Sequence, residues 1–345
     1  MRTRLLGPAL LAPLLASGLL ADDSIEHDAR LRFGSISLYT ENDKFFAGTD
    51  RNYTNGFKLT ALSSDLRAFN SPEVPRPLRA LADALDPLFP TATPKLGLSL
   101  GQNIYTPEDT QTTAYQPADR PYAAWLYLGV MFQLHRDLPP GQIDTLDTWE
   151  VQLGVVGPAA LGEQVQNGFH RIINADTAKG WDQQLHNEPG LNLIYERKWR
   201  FETAGARTGW GADLIPHAGF SIGNIFTYAN AGGSLRYGYK LPADFGTNLI
   251  RPSGDSNAGR REKFGVWLFG SVDGRAVARD LTLDGNTFRD SPSIDKKPFV
   301  ADLVGGVAVG TRHWQLTYAQ ALRTKEFEGQ SDEQVFGSLS LSYFY

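Results

Sequence analysis

The chain is expected to be all-β, a twelve-stranded antiparallel transmembrane β-barrel, and three observations predict it. The final run, Gln334 to Tyr345, reads QVFGSLSLSYFY. Val335, Leu339, Leu341, Tyr343 and Tyr345 fall on one parity, and Ser338, Ser340 and Ser342 fall on the other. Period two gives a strand one apolar and one polar face. An apolar leader opens the chain, and no cysteine occurs anywhere in it. The missing thiols exclude a disulfide framework, thiolate metal sites and a cysteine nucleophile. A two-faced strand ending on an aromatic residue, behind such a leader, fits a bacterial outer-membrane barrel. Lipid then lies outside the barrel, and chemistry is confined to lumen, rim or loops.

The leader, MRTRLLGPALLAPLLASGLLADD, sets Arg2 and Arg4 before an apolar stretch with small residues from Ala16 to Ala21. That layout predicts a cleaved signal peptide over 1–21 and a mature barrel domain over 22–345. Removing Arg2 and Arg4 takes the formal charge from -5 to -7, which argues against a nucleic-acid partner. After residue 20 no run approaches the ~18 apolar residues of a spanning helix.

Alternation then places the strands. Ile36 and Leu38 oppose Ser35, Ser37 and Tyr39; Phe57, Leu59 and Ala61 oppose Lys58 and Thr60. Leu96, Leu98 and Leu100 oppose Gly97, Ser99 and Gly101. Trp149, Val151, Leu153 and Val155 oppose Glu150, Gln152 and Gly154. Trp314, Leu316 and Tyr318 oppose Gln315 and Thr317. Charged and amide residues on the inner parity suit a polar lumen. Twelve strands result, at about 33–42, 54–63, 96–104, 122–133, 147–156, 190–199, 210–222, 230–240, 264–281, 299–310, 313–323 and 335–345. With strand one running outward, 42–54, 105–121, 157–189, 223–229, 282–298 and 324–334 are extracellular. The periplasmic connection 64–95 is long; its segment 71–90 spaces Leu78, Leu81 and Leu85 as an amphipathic helix, expected to form a plug or cap.

Unusual polar residues gather on the extracellular side. Glu41-Asn42-Asp43 ends strand one, and Asp50-Arg51-Asn52-Tyr53-Thr54 opens strand two. Asp119-Arg120 closes the second outer loop. Asp50-Arg51 and Asp119-Arg120 also read as rim salt bridges that brace the loops. In the third loop, 160–175 has helical periodicity: Leu161, Val165, Phe169 and Ile172 form one stripe, while Gln166, His170 and Asn174 share a neighbouring face. His170 is the candidate general base, with His186 as its rival and a solvated loop histidine as the alternative reading. Asn42 and Asp43 supply hard oxygen ligands, Thr54 lies opposite them, and Asp176 can reach the same place. Oxygen donors favour calcium over zinc; an ordinary Asx turn is the alternative. No serine elbow, zinc-binding helix or phosphate-cradling loop appears.

ENDKFFAGTDRNYTNG (41–56), QNIYTP (102–107), DRPYAAWLYLG (119–129), GVVGP (154–158) and EQVQNGFHRIINADTAKGWDQQLHNE (163–188) together resemble the outer-membrane lipid A deacylases. The resemblance spans essentially the whole mature chain, and the outer-loop motifs are its most specific part. It implies a twelve-stranded barrel and calcium-dependent removal of the 3'-linked acyloxyacyl chain of lipid A. It further implies a lipopolysaccharide substrate in the outer membrane and a monomeric enzyme. By motif, Asn42, Asp43 and Thr54 fall in the calcium site and His170 is the general base. Asp176 stands where the family pattern has glutamate. A family lysine falls near Thr112, so Arg51 or Arg120 would supply the phosphate contact. Gln166 and Asn167 share the histidine's segment, Gln166 as an oxyanion donor or acyl-chain guide, Asn167 toward the substrate. Three other readings stand beside this one: a serine-type outer-membrane phospholipase, a non-catalytic barrel that binds or transports lipids or small solutes, and a degenerate family member kept as a structural protein.

Overall fold

The computed structural model describes residues 30–43, 52–83, 92–136, 143–172, 174–246, 249–250 and 264–345, with backbone only for 80–83. The expected leader over 1–21 lies outside the described residues. Twelve strands follow in chain order: β1 Phe33–Asn42, β2 Asn52–Ser63, β3 Thr93–Thr106, β4 Ala123–Arg136, β5 Asp144–Val156 and β6 Glu188–Glu202. The remainder are β7 Trp210–Gly223, β8 Phe226–Tyr239, β9 Gly265–Asp280, β10 Phe299–Gly310, β11 Trp314–Arg323 and β12 Gln334–Phe344. Each pairs antiparallel with its chain neighbours, and β1 closes on β12. Closure removes the two edges an open sheet would expose, the condition for strands in hydrocarbon. The fold expected from alternation is the fold observed.

Parity fixes the two faces. Leu38, Leu59, Leu100, Leu128, Leu316 and Leu341 are exposed and form part of an apolar belt. Trp210 stacks on Tyr237, and Trp314 packs on Tyr343, which meets Tyr345. These aromatics cluster toward the rim that carries the start of β1 and the end of β12, as in an interfacial girdle. In outer-membrane barrels that rim is periplasmic. The opposite rim carries Asn42, Asn52, Thr106 and the first turns of β4 and β6.

The inward face is charged and filled. Arg236 donates to Asp213 (2.5 and 2.8 Å) and to Asp244; Arg200 pairs with Asp144; Arg323 and Arg275 share Asp302. A buried charge is tolerable only when paired and hydrogen-bonded. The connection after β8 turns into the lumen. Arg200 Nη1 donates to Asp244 O at 3.0 Å, Phe245 packs on Leu146 and Ile215, and Ile250 N donates to Glu41 Oε1 at 2.6 Å. Residues 241–246 therefore lie within the lumen, and Ile250 meets Glu41 near the far end of β1. Two cavities between these groups hold about 40 and 30 Å³.

Of the plug or cap expected at 71–90, the described residues form a cap. Helix α1 spans Arg76–Asp83, and 84–90 lie outside the described residues. Leu66, Phe69 and Val74 pack with Leu96, Phe132 and Leu134, and Leu78 joins them. Leu96, Phe132 and Leu134 share the outward parity of Leu98 and Leu128. Leu66, Phe69, Val74 and Leu78 cap the outer wall, and the residues that enter the lumen are 241–246 and 249–250.

Candidate functional site

Helix α2 (Gly162–Ile172) follows a single 3-10 turn, Pro158–Ala160. Gly157 opens the loop at φ 93, a left-handed value, and a β-carbon there would lie 2.5 Å from His186 C. Only glycine fits that crossing of two backbones. The helix then lands on the outside of the wall. A β-carbon on Gly162 would lie 2.6 Å from Ala124 Cβ and 2.6 Å from the Trp181 ring. Ile104, Ala124, Leu126 and Val155, outward residues of β3, β4 and β5, are covered by Tyr122, Ala160, Ala178 and Trp181.

The helix faces are inverted relative to those of a helix in water. Gly162, Gln166, Asn167 and His170 are buried against the protein. Leu161, Val165, Phe169 and Ile172 are exposed, Ile172 by 80%. A polar face turned inward and an apolar face turned outward suit a helix lying in lipid. The expected helix over 160–175 is shorter than its periodicity suggested. Asn174 adopts φ 54 beyond the helix end and is exposed, so it does not share the His170 face.

Residues 174–183 fold back and fasten the polar side chains. Asn167 Nδ2 donates to Ala178 O at 3.0 Å, and Ala178 N donates to Asn167 Oδ1 at 2.8 Å. Trp181 Nε1 donates to Gln166 Oε1 at 2.9 Å, while Gln166 Nε2 is buried with no hydrogen-bond partner. His170 Nδ1 lies 2.5 Å from Asp176 O. A carbonyl oxygen only accepts, so Nδ1 carries the proton and Nε2 the lone pair. The carboxylate of Asp176 is exposed, and its backbone is what meets His170.

Asn42 and Asp43 end β1 and are 5% and 0% exposed. Asn42 Nδ2 donates to Thr54 O at 3.1 Å, and Thr54 Oγ1 lies 2.7 Å from Thr106 Oγ1. Asn52 adopts φ 67, and the register of β2 shifts between Tyr53 and Asn55, so Thr54 is the extra residue of a bulge. Bulges re-aim side chains beside sites. The ladder row Asn42, Asn55, Ile104, Ala124 crosses four adjacent strands, about 14 Å at ordinary strand spacing. It leads from the β1 end to the seat of α2.

The oxygen donors of Asn42, Asp43 and Thr54 suit a hard cation. Among the described residues no cluster of three His, Cys, Asp or Glu side chains forms. Of the described residues here, the Asp43 carboxylate would serve calcium together with the amide oxygen of Asn42 and the hydroxyl of Thr54.

Arg120 is placed elsewhere. It is fully buried, pairs with Glu326 at 3.1 Å, donates to Thr282 at 3.0 Å, and lies over the Tyr105 ring. Its guanidinium braces the rim from within and is not presented to a lipid phosphate; the salt-bridge reading of this position is the one the structure supports. Arg51 lies outside the described residues. Sequence reasoning gave no role to Gln102, whose Nε2 donates to Ala160 O at 2.6 Å, or to Thr106. Both are polar residues on an outward parity, a signal readable from alternation alone. Glu41, which accepts from Tyr53 OH at 2.9 Å, was read only as part of a polar cluster.

The family model of outer membrane protein LpxR matches residues 8–345. Among solved structures, LpxR from Salmonella typhimurium aligns with a TM-score of 0.70 at 20% identity, covering 90% of this chain and 100% of that one. The β domain of the Bordetella autotransporter BrkA aligns at 0.40 and 10% identity, covering 91% and 98%. The translocator domain of NalP from Neisseria meningitidis aligns at 0.38 and 11% identity, covering 92% and 89%. No curated protein sequence matches the chain.

Proposed function

Because the chain belongs to the family of outer membrane protein LpxR, we propose that it is a calcium-dependent lipid A deacylase, hydrolysing the 3'-linked acyloxyacyl ester in the outer leaflet as a monomer. The observation that carries this reading is the inverted helix α2. It holds His170, Gln166 and Asn167 between itself and the barrel wall while its apolar stripe is exposed. A site between wall and helix opens sideways to lipid, where a lipid ester lies.

Each residue has a role that follows from its contacts. Asp176 O holds the His170 ring through Nδ1, so Nε2 takes the proton of the attacking water. Gln166, fixed by Trp181 through its oxygen, keeps Nε2 as a donor for the developing oxyanion. Asn167 locks the loop that carries Asp176. Asn42, Asp43 and Thr54 would hold calcium, with Asp176 as a further candidate ligand through its carboxylate. Bound there, calcium supplies Lewis-acid polarisation of the ester carbonyl. Arg51 remains a proposed phosphate contact.

A filled lumen weighs against a transport barrel, since Arg200, Arg236 and residues 241–246 and 249–250 occupy the path. The test uses purified protein and hexa-acylated lipid A, followed by mass spectrometry with calcium or with chelator. Loss of the 3'-linked acyloxyacyl chain in calcium alone is expected; an unchanged lipid would sink the reading. Calcium binding is checked separately by thermal stability. At a hundredfold excess over Kd a ligand adds about 2.7 kcal/mol. That shift should vanish in Asp43→Ala.

A further inference from the structure

A ladder row leaves Asn42 in the direction away from α2. Its partners run Asn42, Gly337, Gln320, Gly305, Gly270 and Leu235, crossing from β1 through β12, β11, β10 and β9 to β8. All six have outward parity, shared with the exposed belt residues Leu339, Leu322, Leu303 and Leu268. Gly305 and Gly270 are exposed and have no side chain, so the row from Gln320 to Leu235 is a furrow between ridges of leucine and valine; Asn42 and Gly337, at its start, are buried. A β-carbon on Gly305 would meet no heavy atom within 4 Å, and one on Gly270 would meet only Val304 O at 3.8 Å. Packing does not demand glycine at either position. Glycine inside a strand weakens it, and often marks where another molecule approaches the backbone.

One amide interrupts the furrow. Gln320 stands on the outward face of β11 between Tyr318 and Leu322. Tyr318 OH donates to Gln320 Oε1 at 2.7 Å, and Gln320 Nε2 is buried with no hydrogen-bond partner. An unsatisfied amide donor on a wall that faces hydrocarbon is costly, and polar groups kept at such depth mark function. Gln320 lies two strands from Asn42, about 10 Å, and the open furrow from Gln320 to Leu235 on β8 is about 14 Å long.

We propose that this furrow seats an acyl chain of the substrate lipid flat against the wall, with Gln320 Nε2 donating to an oxygen borne on that chain. The site would then select a chain carrying a hydroxyl or acyl ester over an unsubstituted one. The link to Asn42 rests on the deacylase reading.

The test compares Gly305→Leu and Gln320→Leu with the parent and with Leu191→Phe, an exposed belt position on β6. Two quantities are measured on each: KM and kcat on lipid A in calcium, and lipid A retained in native mass spectrometry under chelation, without turnover. Gly305→Leu should raise KM and lower retention more than about tenfold with kcat within about twofold. Gln320→Leu should do so about five- to tenfold, and only for lipids whose chains carry an in-chain oxygen. Leu191→Phe should match the parent. If the parent hydrolyses lipid A and both variants keep its KM and retention, the furrow assignment is wrong and the deacylase reading survives. If the parent retains lipid A but never hydrolyses it, the deacylase reading fails; loss of retention in Gly305→Leu would still support the furrow.

Discussion

Strands β3 and β4 carry a helical segment at each end of the same outer face, and the two are built oppositely. At the periplasmic end Leu66, Phe69, Val74 and Leu78 pack apolar side chains onto Leu96, Phe132 and Leu134. At the other end α2 turns Gln166, Asn167 and His170 toward the wall and leaves Val165, Phe169 and Ile172 outside. The first arrangement needs only the hydrophobic effect. The second places amides and an imidazole where each must find a partner, and Trp181, Ala178 and Asp176 supply them. Burying polar groups in this way is costly, so the 66–78 segment is organised around packing, while α2 gives up packing for the polar face that the proposed site requires.

Breaking each end should therefore give different symptoms. Gly162→Leu drives a side chain into Ala124 and Trp181. It should lift α2 from its seat and cost about 10²-fold in activity, the usual effect of misplacing a reacting group by about an ångström. Heat-modifiable migration on gels should still report a closed barrel. Phe69→Ala removes a fully buried ring that meets Phe132 edge-on at 5.3 Å. It should lower unfolding stability by about 3 kcal/mol while activity per folded molecule stays unchanged. If Phe69→Ala instead abolished turnover in folded protein, the division between the two ends would be wrong.

Trp181→Phe should have a smaller effect. It keeps most of the packing against Tyr122 but removes the indole donor to Gln166. A hydrogen bond of ordinary worth, about 1 kcal/mol, predicts a fall of about fivefold in kcat/KM. The smallest effect is expected at Ile172. The chain has no native cysteine, so Ile172→Cys can carry a single fluorescent label. Activity should stay within about twofold, and brominated lipid rather than aqueous iodide should quench the label. Quenching by iodide alone would place the stripe in water and undo the comparison.

The barrel was legible because alternation is a local property: Leu339, Leu341 and Ser340 declare their faces without reference to any distant residue. The filling of the lumen was not. Residues 241–250, LPADFGTNLI, carry no periodicity, and Asp244 and Ile250 are placed by Arg200, Arg236 and Glu41 from remote strands. The 71–90 segment showed helical spacing, but spacing cannot say whether a helix enters a lumen or lies on a wall. For α2 the sequence offered two stripes without saying which turns inward; the solvent decides, and lipid reverses the usual choice. Arg120 looked available at the rim until Glu326, 206 residues away, was placed beside it. Gln102, Thr106 and Gln320 were readable as polar residues on a lipid-facing parity, a signal as informative as a motif.

The histidine held between α2 and the wall is proposed to activate water. That role is tested by deacylation rates of His170→Ala and His186→Ala at matched amounts of folded barrel. His186 lies on the same outer side, its backbone paired with Asn286 at 2.9 Å. Losing a positioned base costs typically 10²–10⁴-fold, so His170→Ala should release almost no acyl chain while remaining folded, and His186→Ala should keep the parental rate. Parental activity in His170→Ala, with or without loss in His186→Ala, would contradict the account.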